Sequence, residues 1–477
     1  MITFIICLAL LVASYFIYGS LLDRVAGIDT NADVPSKTMY DGVDYLPLPR
    51  WRIFLVQLLN IAGTGPIFGA ILGACYGPVA FLWITLGGIF MGAMHDYLSG
   101  IISLRNEGRS LTAIIGKYLG KGMHRIALVI IPLLMILVGG VFIVTPAKVL
   151  TSMTDMPYLV WVGIIIVYYF IATVLPVDKI IGKIYPIFGA ALIIMALSML
   201  GLLVFGDYTI PELTTLENMH FNAEKLPIIP TLFISIACGA ISGFHATQSP
   251  LMARCMNNEK ESRPIFFGAM IAESVIALIW AAVAMAFFGG VEGLNSFMVE
   301  NNNDAGLAVS TISVTTLGVV GSLLTLLGVV AAPITSGDTA FRSARLIVAD
   351  MLGLEQRSMI KRLLVSLPLF ALGIGIAFID FDVIWRYFAW SNQTLSVLTL
   401  WMISAWLYRK QSRYVALALI PALIMTYVCS SFIFVSNQFI GMGSCTEAYV
   451  YAAAVTAVIA GLVMLKIRKD IRYGATV

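Results

Sequence analysis

Asn60-Ile61-Ala62-Gly63-Thr64-Gly65-Pro66 interrupts an apolar run, Ile53 to Tyr76, that is long enough to cross a bilayer. Glycine costs backbone entropy and proline lacks an N–H, so this string should stop a helix in mid-span. The freed N–H and C=O groups are tolerated at membrane depth only where they are buried in protein or line a cavity. A second apolar run, Leu226 to Arg254, carries Gly239-Ala240-Ile241-Ser242-Gly243-Phe244-His245 at its middle. Two interrupted spans at matching places in two halves are the sequence mark of a transporter's central site.

The chain has 477 residues, 60% hydrophobic and 12% charged, with a mean hydropathy of +0.93. A soluble protein carries about twice that charged fraction, so a polytopic membrane protein is expected. A net charge of +3 gives no support to nucleic-acid binding. The six cysteines are scattered singly, without metal-ligand or redox spacing, and read as small apolar residues of spans. No Gly-x-x-x-x-Gly-Lys-Ser/Thr string appears, which argues against ATP-driven pumping. His-x-x-x-His and His-Glu-x-x-His are also absent, so neither an enzyme nor a resident cofactor is expected.

Apolar runs of about 20 residues give about thirteen candidate spans: 2–22, 52–76, 78–104, 124–150, 157–177, 180–206, 226–252, 264–289, 314–341, 359–379, 383–408, 413–436 and 446–465. All of the 29 lysines and arginines except Lys148, Lys225 and Arg386 then fall on one side of the bilayer. Basic loops stay inside, which puts the N-terminus outside and the C-terminus in the cytoplasm. Ser110–Gly122 reads as a short interfacial helix, and the polar segment Val291–Ala308 has room for a helical hairpin over one face. Each interrupted run opens a group of five spans, and the two enter from opposite sides, as in a LeuT-like 5+5 inverted repeat. The expected organisation is all-α. Residues 1–50 form a first helix and loop, 51–206 the first repeat and 207–410 the second. Residues 411–477 form two C-terminal helices and a short cytoplasmic tail.

Five strings are more specific than this topology. They are Asn60 to Pro66, Gly92-Ala-Met-His-Asp-Tyr97, Ser242-Gly-Phe-His-Ala-Thr-Gln-Ser-Pro250, Thr335-Ser-Gly-Asp-Thr-Ala-Phe-Arg342 and Tyr387-Phe-Ala-Trp-Ser-Asn-Gln393. In this order they resemble the carbon starvation protein A (CstA) family of bacterial inner-membrane transporters, over about residues 1–410. The resemblance implies uptake of peptides, or of pyruvate with protons, during nutrient limitation. The best-known enterobacterial members are longer at the C-terminus.

The first break offers Asn60, Gly63, Thr64 and Gly65 to a substrate. A half-helix starting at Pro66 near mid-membrane presents free N–H groups and a partial positive charge, which suit a carboxylate. The second break offers Ser242, Gly243, His245, Thr247 and Gln248, with His245 as a substrate contact or proton relay. Asn392 and Gln393 are costly against lipid and should face the cavity. Three acids lie within spans: Asp96, Glu273 and Asp338. Asp96 and Glu273 lie roughly 14 Å from the cytoplasmic edge, about mid-bilayer, where a proton coupler belongs. His95 should point about 100° away from Asp96 around the helix. Asp338 either caps the helix that follows and pairs with Arg342, or binds a proton. With Thr335, Ser336 and Thr339 it would alternatively hold sodium.

The expected protein is a secondary symporter for pyruvate or short peptides, with the bilayer and a small molecule as its partners. Protons drive it, with sodium coupling or a passive channel as alternatives. Arg386 and Lys148 snorkel at the outer interface or attract an anionic substrate.

Overall fold

In lipid every backbone polar group must be paired within its own segment, so an apolar run of bilayer length folds as helix. The computed structural model describes residues 1–42, 44–174, 185–354, 358–379 and 381–472. Among these there is no β-strand, and nine helices are long and apolar enough to cross a membrane. A further span is a bent pair, Arg50–Ala62 and Gly65–Ala74, meeting at 53°. Tyr158–Val174 is shorter, and Phe381–Arg409 is long but carries polar residues. The Leu226 run is split into Ile228–Leu232 with Phe233–Ser235, and then Gly243–Ala253. These elements follow the order of the expected spans.

One boundary differs. The expected span 314–341 belongs to a longer helical stretch, Ala305–Leu352. The Asp304 carboxylate accepts from the N–H groups of Gly306 (2.9 Å) and Leu307 (3.1 Å), which starts the helix before its apolar part. Gly318 bends it, and Gly353 ends it in the left-handed region. An apolar window finds only the lipid-depth part of such an element. The segment 291–308 holds the helix Val291–Glu300 and the start of this one, and Asn295 ties it to the Cys75 and Met219 carbonyls. Ser110–Gly122 contains the helix Leu111–Leu119.

The bundle has a buried centre and an apolar rim. Of the apolar window in Glu259–Phe287, 83% is buried; in Thr446–Lys469 the share is 11%. Phe16, Phe205, Val319 and Leu462 are exposed apolar side chains of the kind that lipid covers.

The basic loops gather on one face. The Arg105 guanidinium pairs with Glu259 at 2.5 Å and donates to the carbonyls of Ala26 and Gly27. Lys410 also donates to Ala26, Arg254 to Gly108, and Arg409 to Tyr118. Met1 lies on the opposite face, ion-paired with Glu212. Lys179, Lys183 and Arg357, which contribute to the charge asymmetry, and the tail 473–477 lie outside the described residues.

Candidate functional site

Both breaks are present, and each has a local cause. Gly63 takes φ +45°, ψ −136°, which side-chain-bearing residues rarely adopt. A Cβ there would also lie 2.8 Å from the Phe142 ring. The chain restarts at Gly65 with Pro66 in its first turn, where a missing N–H costs nothing. The second break begins at Ile236, earlier than Gly239, and ends at Ser242. Its restarting helix is capped from another span: Asn392 Oδ1 accepts from Ser242 Oγ (3.0 Å) and from the Phe244 N–H (2.8 Å).

The two breaks are pressed together. A Cβ on Gly65 would fall 2.3 Å from Cys238 Sγ, and one on Gly239 would fall 3.9 Å from Pro66 Cα. The main chain expected to line an open central hollow is therefore packed shut, with a cavity on either side. The one towards the basic face, about 330 Å³, is lined by Thr247, Arg254, Ser343 and Asp350. The one towards the opposite face, about 130 Å³, is lined by Tyr76, Thr231, Ser235 and Arg386.

The helix Gly243–Ala253 packs on Met94–Leu104, and this brings distant titratable groups together. His245 Nδ1 lies 2.8 Å from Asp96 Oδ2, and His245 Nε2 lies 3.4 Å from Glu273 Oε2. His95 Nδ1 lies 2.8 Å from the other Asp96 oxygen. The expectation that His95 points away from Asp96 is corrected: the carboxylate reaches both imidazoles, one through each oxygen. All four side chains are fully buried. Glu273 has no hydrogen-bond partner among the described residues.

Cys238 joins this group, against its reading as a small apolar residue. Its Sγ and donor atoms of His245 and Glu273 lie within 4.8 Å of one another. Thiol, imidazole and carboxylate are the donor set that would hold a borderline-soft divalent ion such as zinc. Cysteine spacing along the chain carries no trace of this, because the partners come from other helices.

On the first broken span Gln57 and Asn60 share one helix face by their spacing, and Thr64 lies in the break just beyond. All three are fully buried, and neither their amide atoms nor the Thr64 hydroxyl has a hydrogen-bond partner among the described residues. Gln57 was missed in sequence, although it lies one turn before Asn60. Thr247 Oγ1 donates to Phe244 O (2.6 Å) and accepts from Gln248 Nε2 (2.9 Å). Gln393 Nε2 donates to Phe233 O (3.3 Å), just before the second break.

Asp338 belongs elsewhere. It accepts from Tyr185 OH (2.8 Å) and lies 3.9 Å from Arg342 Nη2, the pairing expected from their spacing. Ser336 Oγ contacts the Leu59 carbonyl on the first broken span (3.1 Å). Thr335 and Thr339 donate back into their own helix, at 2.8 Å and 2.9 Å.

Discontinuous helices meeting at mid-membrane, around buried polar groups, define the LeuT-like class of helical membrane proteins. Solved structures agree at the level of fold. A mutant of the Eremococcus coleocola manganese transporter covers 88% of this chain and 94% of its own, with TM-score 0.52 and 14% identity. Mhp1, a nucleobase-cation-symport-1 family transporter, covers 88% and 93%, with TM-score 0.54 and 13% identity.

The family model for carbon starvation protein CstA matches residues 1–160 and 144–327, and the chain belongs to that family. A Haemophilus influenzae relative, an uncharacterized membrane protein, is 41% identical over 62% of this chain and 93% of its own. The peptide transporter CstA of Campylobacter jejuni is 27% identical over 63% of this chain and 52% of its own. The pyruvate/proton symporter BtsT of Escherichia coli is 26% identical over 60% and 48%. The chain spans about half the length of these named transporters.

Proposed function

We propose that this protein is a secondary carrier of the bacterial inner membrane. It imports a small carboxylate-bearing nutrient, pyruvate or a short peptide, together with protons, during nutrient limitation. The observation that carries the reading is the buried chain His95–Asp96–His245–Glu273, which ties the second broken span to two neighbouring spans. The names of the peptide and pyruvate/proton transporters in the family support it.

The chemistry follows from the imidazole. Its two nitrogens face one carboxylate each, so a proton arriving at either acid has a route through the ring. A charged imidazole attracts both acids; a neutral one leaves a carboxylate that must itself be protonated or hydrated. The grip on the second broken span thus depends on proton count, which is the differential interaction a coupled carrier needs. The half-helix starting at Gly65 and the unpaired side chains of Gln57, Asn60 and Thr64 supply donors for a carboxylate when the breaks separate. With the basic face in the cytoplasm, Met1 is outside and the C-terminal helix ends inside.

Uptake into proteoliposomes, with pH and sodium gradients imposed separately, tests the reading. Pyruvate, dipeptides and tripeptides are offered in turn. Accumulation of pyruvate or a peptide above equilibrium, driven by an inward proton gradient, is expected. Accumulation driven by sodium alone, or flux that only equilibrates, overturns proton coupling.

A further inference from the structure

We infer that the cavity between the two breaks and the face opposite the basic loops is a docking site for a small carboxylate anion, with Arg386 as its charged anchor. This inference takes the carrier reading as its starting point and adds where the solute is first selected. Arg386 is the one charged side chain among the described residues lining this cavity, and no carboxylate lines it. It is half-buried and has no hydrogen-bond or ion-pair partner among the described residues. A guanidinium held this way has lost part of its hydration without gaining a counter-charge from any described side chain, and its planar fork matches the two oxygens of a carboxylate.

The rest of the lining mixes apolar side chains with groups that can donate. His220 Nδ1 accepts the backbone N–H of Asn222 (3.0 Å), so the neutral ring carries its proton on Nε2, where it can donate. Burial and the nearby Arg386 charge push this imidazole down to about 4, so the ring is neutral at physiological pH. Gln438 Oε1 already accepts from Ser436, which leaves its amide N–H groups as donors. Asn222 and Asn303 add carboxamides, and Trp385 supplies an aromatic wall. At about 30 Å³ per water, the volume of about 130 Å³ is room for roughly four waters. A three- or four-carbon acid, with about six to eight non-hydrogen atoms, fits that space; a tripeptide exceeds it. Both broken spans contribute to the walls, through Leu72–Tyr76 and Thr231–Ser235, so a bound anion touches the elements that must part for passage.

The test uses the full-length chain in detergent for direct binding and in proteoliposomes for uptake. The probes are pyruvate, its neutral amide pyruvamide, dialanine and dialanine amide. Arg386→Gln is expected to weaken pyruvate binding about ten- to a hundredfold, with the larger kinetic change in KM rather than in maximal rate. Pyruvamide binding should be unchanged, Arg386→Lys should restore part of the loss, and Lys225→Gln, an exposed cation outside the cavity, should behave as wild type. If only dialanine is weakened, relative to its amide, the carboxylate recognised is a peptide C-terminus. Arg386→Gln binding both acids like wild type overturns the site, as does equal loss of acids and amides. Wild-type protein that binds none of the probes also overturns it. The outcomes separate the two claims. Binding without uphill uptake sinks the carrier reading alone, and normal uptake by Arg386→Gln sinks the docking site alone.

Discussion

Within the spans, the described residues hold two buried carboxylate sites that differ in the cation that answers them. Asp96 and Glu273 face the imidazoles of His245 and His95. Asp338 faces the Tyr185 hydroxyl and the Arg342 guanidinium. A guanidinium keeps its proton at any physiological pH, whereas imidazole gains and loses one near neutrality. The Asp338 site is therefore suited to a permanent charge pair that fixes the helix Ala331–Leu352 beside the first broken span. The Asp96–His245–Glu273 site is suited to exchanging protons. In sequence only the Arg342 partner of Asp338 is visible; the imidazoles that answer Asp96 and Glu273 come from tertiary packing.

The comparison can be broken at its strongest point first. Glu273→Gln should reduce uphill uptake at least about a hundredfold while counterflow exchange persists, because the exchange reaction needs no net proton movement. Normal accumulation by this variant at every pH would assign coupling elsewhere, with Asp338 the next candidate. Next in size is Gly65→Leu, which forces a branched side chain onto Cys238. Overpacking of this kind costs about 1–3 kcal/mol or more, so loss of uptake together with a lower melting temperature is expected. Unaltered uptake and melting would show that the breaks do not close on each other.

Asp338→Asn sharpens the contrast between the two carboxylates. It should lower the melting temperature, because the nearly buried Arg342 loses its counter-charge, while the pH profile of uptake keeps its shape. A shifted profile would move Asp338 into the coupling machinery. The smallest effect concerns His220, outside the spans. Its imidazole is held down to about 4, against about 6.5 in an unfolded chain, by burial first and then by Arg386. Between these values the unfolded chain binds the proton and the folded one does not. Stability should thus fall as pH drops from about 6.5 to about 4, and His220→Gln should flatten that slope in a melting-temperature series.

Much of the architecture was readable without coordinates. Bilayer thickness sets the length of an apolar run, and Gly63 with Pro66 announces a break because side-chain-bearing residues rarely adopt the φ +45°, ψ −136° found at residue 63. The gathering of Arg105, Arg254, Arg409 and Lys410 on one face follows from the same charge asymmetry. Helix spacing also placed Asp338 against Arg342, since four residues are one turn.

What the chain by itself determined was depth: which residues lie at mid-membrane, and where the backbone must come apart. Neighbours around the helix axis were decided only by the tertiary structure. Asp96 and His245 are 149 residues apart and meet because two helices pack. Cys238 enters the same group, Gln57 joins Asn60 and Thr64, and the two breaks close against each other at Gly65. Apolar periodicity fixes how deep a side chain lies in lipid; the azimuth of each helix follows from how small residues and unpaired polar groups fit together, and that is a property of the assembled bundle.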